Sequence, residues 1–195
     1  MRLLKTSPCT KTDEERETAR LITQGDRTAM KALYELSVGR LAGTCARYIP
    51  DEDDLHDVLQ DSYVKIFTHM ADFEYRGPGS LEAWMQRIVV NEALKFLRGK
   101  RVHASLDESA EDIPPYDVPE TEDIPLDILH DMIRRLPDGQ RTVFNLYACE
   151  GKSHKEIARL LHIGESSSAS QFSRAKRQLA QWIREYWTLH ENKEP

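Results

Sequence analysis

Apolar residues recur at helical spacing along most of this chain, and no stretch alternates apolar and polar residues as a strand would. A short helix is predicted from Asp13 to about Gln24, interrupted at Gly25. Asp26 or Thr28 can cap the next helix, which carries Met30, Leu33, Tyr34, Leu41 and Cys45 toward a core and stops at Pro50. Asp51-Glu52-Asp53-Asp54 opens a third, whose stripe is Leu55, Val58, Leu59, Ser62, Tyr63 and Ile66. Its acidic first turn suits the positive end of the helix dipole. Two glycines and a proline break the pattern at Tyr75–Gly79, and Ser80 is read as the cap of a fourth helix containing Trp84, Ile88, Leu94 and Leu97. After a long gap, Leu126–Leu136 and Asp138–Glu150 resume the helical period, with Gly151 closing the second of them.

The last two segments are more specific. Ser153 with Glu156 three residues on is a capping-box pattern, followed by Ile157, Leu160 and Leu161 as a stripe. A break at His162-Ile163-Gly164 leads into a helix from Glu165 to about Trp187. That helix begins with small polar residues and continues with Arg174, Lys176 and Arg177, while Phe172, Leu179 and Ile183 lie on one side. A short helix, a tight turn and a second helix with small polar and basic residues is what a helix-turn-helix needs. Small residues let the backbone approach base edges, and cations behind them meet phosphates. The same spacing also fits a plain helical hairpin with a solvated face.

Charge changes the picture through its distribution. The net charge of −6 argues against nucleic acid at first sight. However, residues 104–131 hold ten acids and no Lys or Arg, and residues 132–195 hold eleven basic against seven acidic residues, so the helix-turn-helix lies in a net-positive part. The stretch 104–125 is acidic, contains four prolines and shows no period, which reads as an extended linker. Residues 1–12 read as a disordered extension. The reading is therefore all-α, with two small helical domains at 13–103 and 126–190. Three cysteines without a CxxC exclude a disulfide framework or zinc ribbon. No apolar run approaches a membrane span and no signal peptide opens the chain, so the expectation is a cytoplasmic protein without membrane insertion.

Chemistry-bearing clusters are few. The carboxylates of 51–61 lack the Gly and Glu that a calcium loop requires and have no nucleophile or base beside them. The fourth helix ends in Arg87, Asn91, Lys95, Arg98, Lys100 and Arg101 beside an aromatic-bearing loop, a composition that suits single-stranded nucleic acid. Trp84 reads as core.

In these residues the chain resembles the bacterial sigma factors of the extracytoplasmic-function type. The resemblance covers about residues 20–187. Asp57-Val58-Leu59-Gln60-Asp61-Ser62-Tyr63, followed by Phe67, is similar to the helix that grips core RNA polymerase. Arg76-Gly77 and then Trp84 to Asn91 are similar to the loop and helix that capture the −10 promoter element. Leu136-Pro137, Arg141 to Phe144, Glu156-Ile157-Ala158 and Ser173 to Lys176 are similar to the domain that reads the −35 element. The resemblance implies a binding protein with no cofactor and no catalytic residue. Its implied partners are core polymerase, promoter DNA and an anti-sigma factor. It assigns Asp57, Val58, Gln60, Asp61 and Phe67 to polymerase. Tyr75, Arg76, Arg87, Asn91, Lys95 and Arg98 go to the −10 element, where a base is flipped out and must be stacked and hydrogen-bonded. Ser167, Ser170, Gln171, Arg174, Lys176 and Arg177 go to the −35 element, where Gln suits adenine and Arg suits guanine. Gln171 and Ala169 stand where many family members carry a cation. The competing reading, a stand-alone regulator that binds an operator through its helix-turn-helix, accounts for residues 138–187 but not for Asp57–Phe67.

Overall fold

The computed structural model describes residues 8–101 and 124–191, and all regular structure among them is helical. Eight α-helices follow in order: α1 (Pro8–Thr23), α2 (Arg27–Ala46), α3 (Glu52–Thr68), α4 (Ser80–Arg101), α5 (Leu126–Arg134), α6 (Asp138–Ala148), α7 (His154–Leu161) and α8 (Glu165–Glu191), with one 3-10 turn at Met70–Asp72. Two compact units divide at Lys95/Phe96, inside α4, whereas the sequence places the boundary at 103. The acidic linker and the first seven residues lie outside the described residues, apart from the linker's last two positions.

In the first unit, Asp26 caps α2 by accepting from the Thr28 and Ala29 amides at 2.8 and 3.1 Å, and Asp51 caps α3 by accepting from the Asp54 amide at 3.0 Å. The core is built from Leu41, Cys45, Tyr48 and Ile49 on and after α2, Val58, Leu59 and Ile66 on α3, and Met85, Val89 and Ala93 on α4. Helix α2 ends at Ala46, three residues earlier than its apolar run, because the Tyr48 and Ile49 amides turn back onto the Cys45 carbonyl. Tyr48 and Ile49 stay buried as a turn. Burial also pushes the Cys45 thiol up to about 11, so it packs as a small hydrophobe. Inside the packing, the Tyr63 hydroxyl and Ser37 hydroxyl share a hydrogen bond of 2.8 Å.

Two predicted boundaries move. Helix α1 begins at Pro8, inside the stretch read as disordered. Proline suits a first helical position, where its missing N–H costs nothing. Ser80 is not the cap of α4. Its hydroxyl instead accepts from the Arg76 amide at 3.3 Å, and the helix start is held by Glu15 of α1, whose carboxylate accepts from the Gly79 and Leu81 amides at 2.6 and 3.2 Å.

In the second unit, Met132, Leu136, Ala175, Leu179 and Ile183 form a buried cluster with Ile124, a residue the sequence reading placed in the linker. Ile124 precedes the start of α5, and Leu129, four positions into the helix, packs on the same cluster. This is a hydrophobic staple, which fixes the angle at which the chain enters the helix.

The capping box at α7 forms as the spacing predicts. Ser153 Oγ accepts from the Glu156 amide at 3.3 Å, and the Ser153 amide donates to the Glu156 carboxylate at 2.8 Å. Hydrogen bonds from the Ser153 side chain and backbone hold the Glu156 carboxyl below its ordinary range. Ser153→Ala should lower stability by about 1 kcal/mol, measured as a shift of the urea midpoint at pH 7. Because the folded carboxyl titrates below the unfolded one, this linked stabilisation is complete above the unfolded carboxylate range. It fades as pH falls through the folded value, so the wild-type advantage should shrink in acid.

Candidate nucleic-acid interface

Along α3, Asp57, Gln60 and Asp61 are exposed on the side away from the core. Val64 joins them at 57% exposure, and Phe67 is half-buried against Tyr63, ring centroids 5.7 Å apart. Tyr63 in turn lies 4.7 Å from the ring of Tyr34, itself exposed on α2. The surface is thus acidic and polar on one side and aliphatic and aromatic on the other. Val58 does not belong to it. At 3% exposure it is a core residue, since it shares the stripe of Leu59, Ser62 and Ile66. Val64 is the position sequence reasoning passed over. Its signal was an apolar residue out of phase with the stripe.

Arg87, Asn91, Lys95 and Arg98 are all exposed, and their spacing puts them on one side of α4, opposite Met85, Val89 and Ala93. Lys95 lies 3.8 Å from the buried Glu92 carboxylate, which also pairs with Lys65 at 2.5 Å, so two cations are anchored to a single acid. Arg76 is exposed and paired with Glu74 at 3.1 Å. Trp84 is half-buried and packs on Phe73, centroids 5.7 Å apart.

Tyr75 turns to α1. The Arg16 guanidinium lies 4.4 Å from its ring centroid, a cation–π contact. The Tyr75 hydroxyl is buried with no hydrogen-bond partner among the described residues. It helps line a pocket of about 340 Å³ with Arg16, Thr23, Gln24, Met70 and Phe73. The side chain assigned to base stacking therefore already has a cation on its ring.

In the second unit the turn between α7 and α8 is made by His162, which adopts the left-handed conformation at φ 55° and ψ 44°. Ile163 is half-buried in the angle. Gly164 supplies the carbonyl that accepts from the Ser168 amide at 3.0 Å, and a Cβ there would meet Ser167 Oγ at 3.4 Å. Ser168 is fully buried and bonds His154 Nδ1 at 3.0 Å, tying the start of α7 to the front of α8. Three residues per turn and a fraction then place Ser167, Ser170, Arg174 and Arg177 opposite the buried Ser168, Ala175 and Leu179, with Gln171 at the edge. Lys176 departs from that face. Its ammonium lies 5.0 Å from the Phe172 ring, on the flank where Phe172, Tyr147 and His154 cluster.

Known proteins are similar to this chain in sequence. Family models described as Sigma-70 region 2 and Sigma-70, region 4 match residues 33–102 and 126–179. An ECF RNA polymerase sigma-E factor of Haemophilus influenzae is 30% identical over 168 residues, covering 80% of this chain and 87% of the relative. An RNA polymerase sigma-H factor of Pseudomonas aeruginosa is 26% identical over 178 residues, covering 84% and 91%. A solved sigma factor RpoE of Bartonella quintana, in complex with the anti-sigma factor NepR, is 22% identical over 79% of this chain and 96% of its own, with a TM-score of 0.46.

Proposed function

This chain belongs to the extracytoplasmic-function sigma factors, and we propose from the surfaces it exposes how it divides the work of that family. As such a factor it binds core RNA polymerase and directs promoter recognition and transcription initiation. Residues 13–103 serve as the region that docks on polymerase and opens the −10 element, and residues 126–190 as the region that reads the −35 element, with the acidic stretch between them as tether. Asp57, Gln60, Asp61, Val64 and Phe67 form the docking surface, whose mixture of carboxylates, amide and apolar groups suits a protein partner. Arg87, Asn91, Lys95 and Arg98 track the unpaired strand. Three cations follow the phosphates, and the one amide among them can hydrogen-bond an exposed base edge. Ser167, Ser170, Gln171, Arg174 and Arg177 face the major groove, and Lys176 reaches flanking phosphate. Catalysis belongs to polymerase, the site of action is the cytoplasm, and an anti-sigma factor is the further partner that family membership implies.

The observation that carries this reading is the co-occurrence, in order, of a region 2 match and a region 4 match on one chain. A helix-turn-helix regulator needs only the second. Multi-round transcription with purified core polymerase and fragmented host DNA tests it. New start sites that depend on the protein are expected. No initiation, together with tight binding of the free protein to duplex DNA, would favour the operator-binding regulator instead. Within that assay, Arg174→Ala should weaken use of the preferred promoter by about 1–3 kcal/mol if the guanidinium reads a base. A loss of equal size on every −35 variant would make it a phosphate contact.

A further inference from the structure

The loop from Tyr75 to Ser80 has little to hold it in place. Gly77 and Gly79 both adopt positive φ, 131° and 84°, which glycine alone tolerates freely. Between Arg76 and Gly79 no apolar side chain other than Pro78 is available for packing. Two bonds close the loop on itself, from the Arg76 amide to Ser80 Oγ at 3.3 Å and from the Ser80 amide to the Gly77 carbonyl at 3.1 Å, and the rest of its hold comes from α1, about 65 residues away in sequence. The Glu15 carboxylate accepts from the Gly79 amide with one oxygen at 2.6 Å, and from the Leu81 amide and the Ser80 hydroxyl with the other at 3.2 and 3.4 Å. It supplies both the acceptor and the negative charge that a helix start favours. The next residue, Arg16, lies over Tyr75 at the other end of the loop. Two consecutive residues of one helix therefore clamp both ends of the segment. The neighbouring Glu17 is instead spent on Arg20, at 2.6 Å on the exposed side of α1. Helix α1 lies before residue 33, where the Sigma-70 region 2 match begins.

We propose that Glu15 is a positioning residue for −10 capture, holding the Tyr75–Ser80 loop in register with the start of α4 so that an unpaired base meets a preformed surface. The proposal rests on the sigma-factor reading. It also explains why the cap is a distant carboxylate rather than Ser80. A local cap would order α4 alone, whereas a carboxylate on α1 orders the loop between them. Gly79 is exposed, so its amide would find water if Glu15 were removed. The protein would stay folded while the loop gained freedom that DNA binding must then remove.

The test compares Glu15→Ala, Glu15→Gln and the control Glu17→Ala, each as full-length protein assembled with core polymerase. Binding is measured to a fork-junction DNA whose −10 non-template strand is single-stranded. Glu15→Ala is expected to weaken fork binding about fivefold, the loss of one helix cap, and to lose discrimination among the four bases at the flipped position. Its affinity for core polymerase should stay unchanged, and its thermal midpoint should fall by no more than the few degrees that one lost helix cap costs. Glu15→Gln, which keeps one acceptor of two, should fall between, and Glu17→Ala should behave as wild type. Wild-type fork binding by Glu15→Ala, or an equal loss of core affinity, would overturn the proposal. Amide hydrogen exchange at Gly79 and Leu81 in the free protein reads the cap without polymerase and should accelerate in Glu15→Ala. If the wild-type holoenzyme fails to bind the fork while that acceleration is seen, the sigma-factor reading has failed, not the cap. Unchanged exchange would overturn the cap itself.

Discussion

Arg141→Met should lower the urea midpoint of the C-terminal unit by about 1.5–3 M, corresponding to about 3 kcal/mol at the slope expected of so small a unit. Arg141 is 2% exposed and sits where α6 meets the end of α5. One guanidinium nitrogen donates to the Leu136 carbonyl at 2.7 Å and the Arg134 carbonyl at 3.2 Å, and another meets Asp138 at 2.5 Å. Methionine fills much of the volume but donates nothing, so both carbonyls lose that donor at a site where water enters poorly. The Asp138 side chain is 57% exposed and returns to solvent, which keeps the cost below that of a stranded buried charge. Arg141→Lys should recover part of the loss, because an ammonium reaches one carbonyl but cannot span the fork that the guanidinium bridges. Arg159→Ala, on the exposed side of α7, should stay within about 0.5 kcal/mol of wild type. The transition is followed by far-ultraviolet circular dichroism. An Arg141→Met midpoint equal to that of Arg159→Ala would show that the buried guanidinium contributes nothing.

Arg141 also marks the boundary of what the sequence could tell. Patterns set by neighbours a few residues apart were legible. The capping box at Ser153, the Asp26 cap, the acidic first turn of α3 and the apolar stripes of α3 and α8 depend on spacing within a turn or two, and the structure forms each one. Features set by distant partners were not. Ser80 has the right side chain for a cap, yet it is already the first residue of α4 and its hydroxyl accepts from the Arg76 amide, while Glu15 accepts from the Gly79 and Leu81 amides. Ile124 follows a run of acids and prolines, so its local composition reads as linker, while its burial depends on α8, more than fifty residues on. Tyr75 reads as a free stacking platform until Arg16 is seen above it. In the candidate site the same division holds. The outward residues of α4 and α8 follow from helical geometry, whereas the bonds of Arg141 do not, because periodicity records where a side chain points, not what it bonds.

Gln60→Ala combined with Asp61→Ala should weaken binding to core RNA polymerase by at least about tenfold while leaving the thermal midpoint within a degree or two. Both residues are exposed on α3 and carry no part of the core, so truncation removes contact without opening a cavity. They stand a turn away from Val64, whose side chain is 57% exposed beside the rings of Tyr63 and Phe67. An apolar centre rimmed by polar groups is the arrangement in which a few residues supply most of an interface's affinity. The comparison that makes the experiment decisive is Val58→Ala. Val58 lies in the same motif but is 3% exposed, so its truncation should cost about 1–3 kcal/mol of stability and affect polymerase only as far as it unfolds the helix. The two variants should therefore separate on a plot of core affinity against stability, one losing affinity at constant fold and the other losing fold. If the double variant binds core polymerase as wild type does, α3 is not the docking helix. If instead both variants fall on one line, the motif acts through folding alone, and the acidic side of α3 is only a solvated surface.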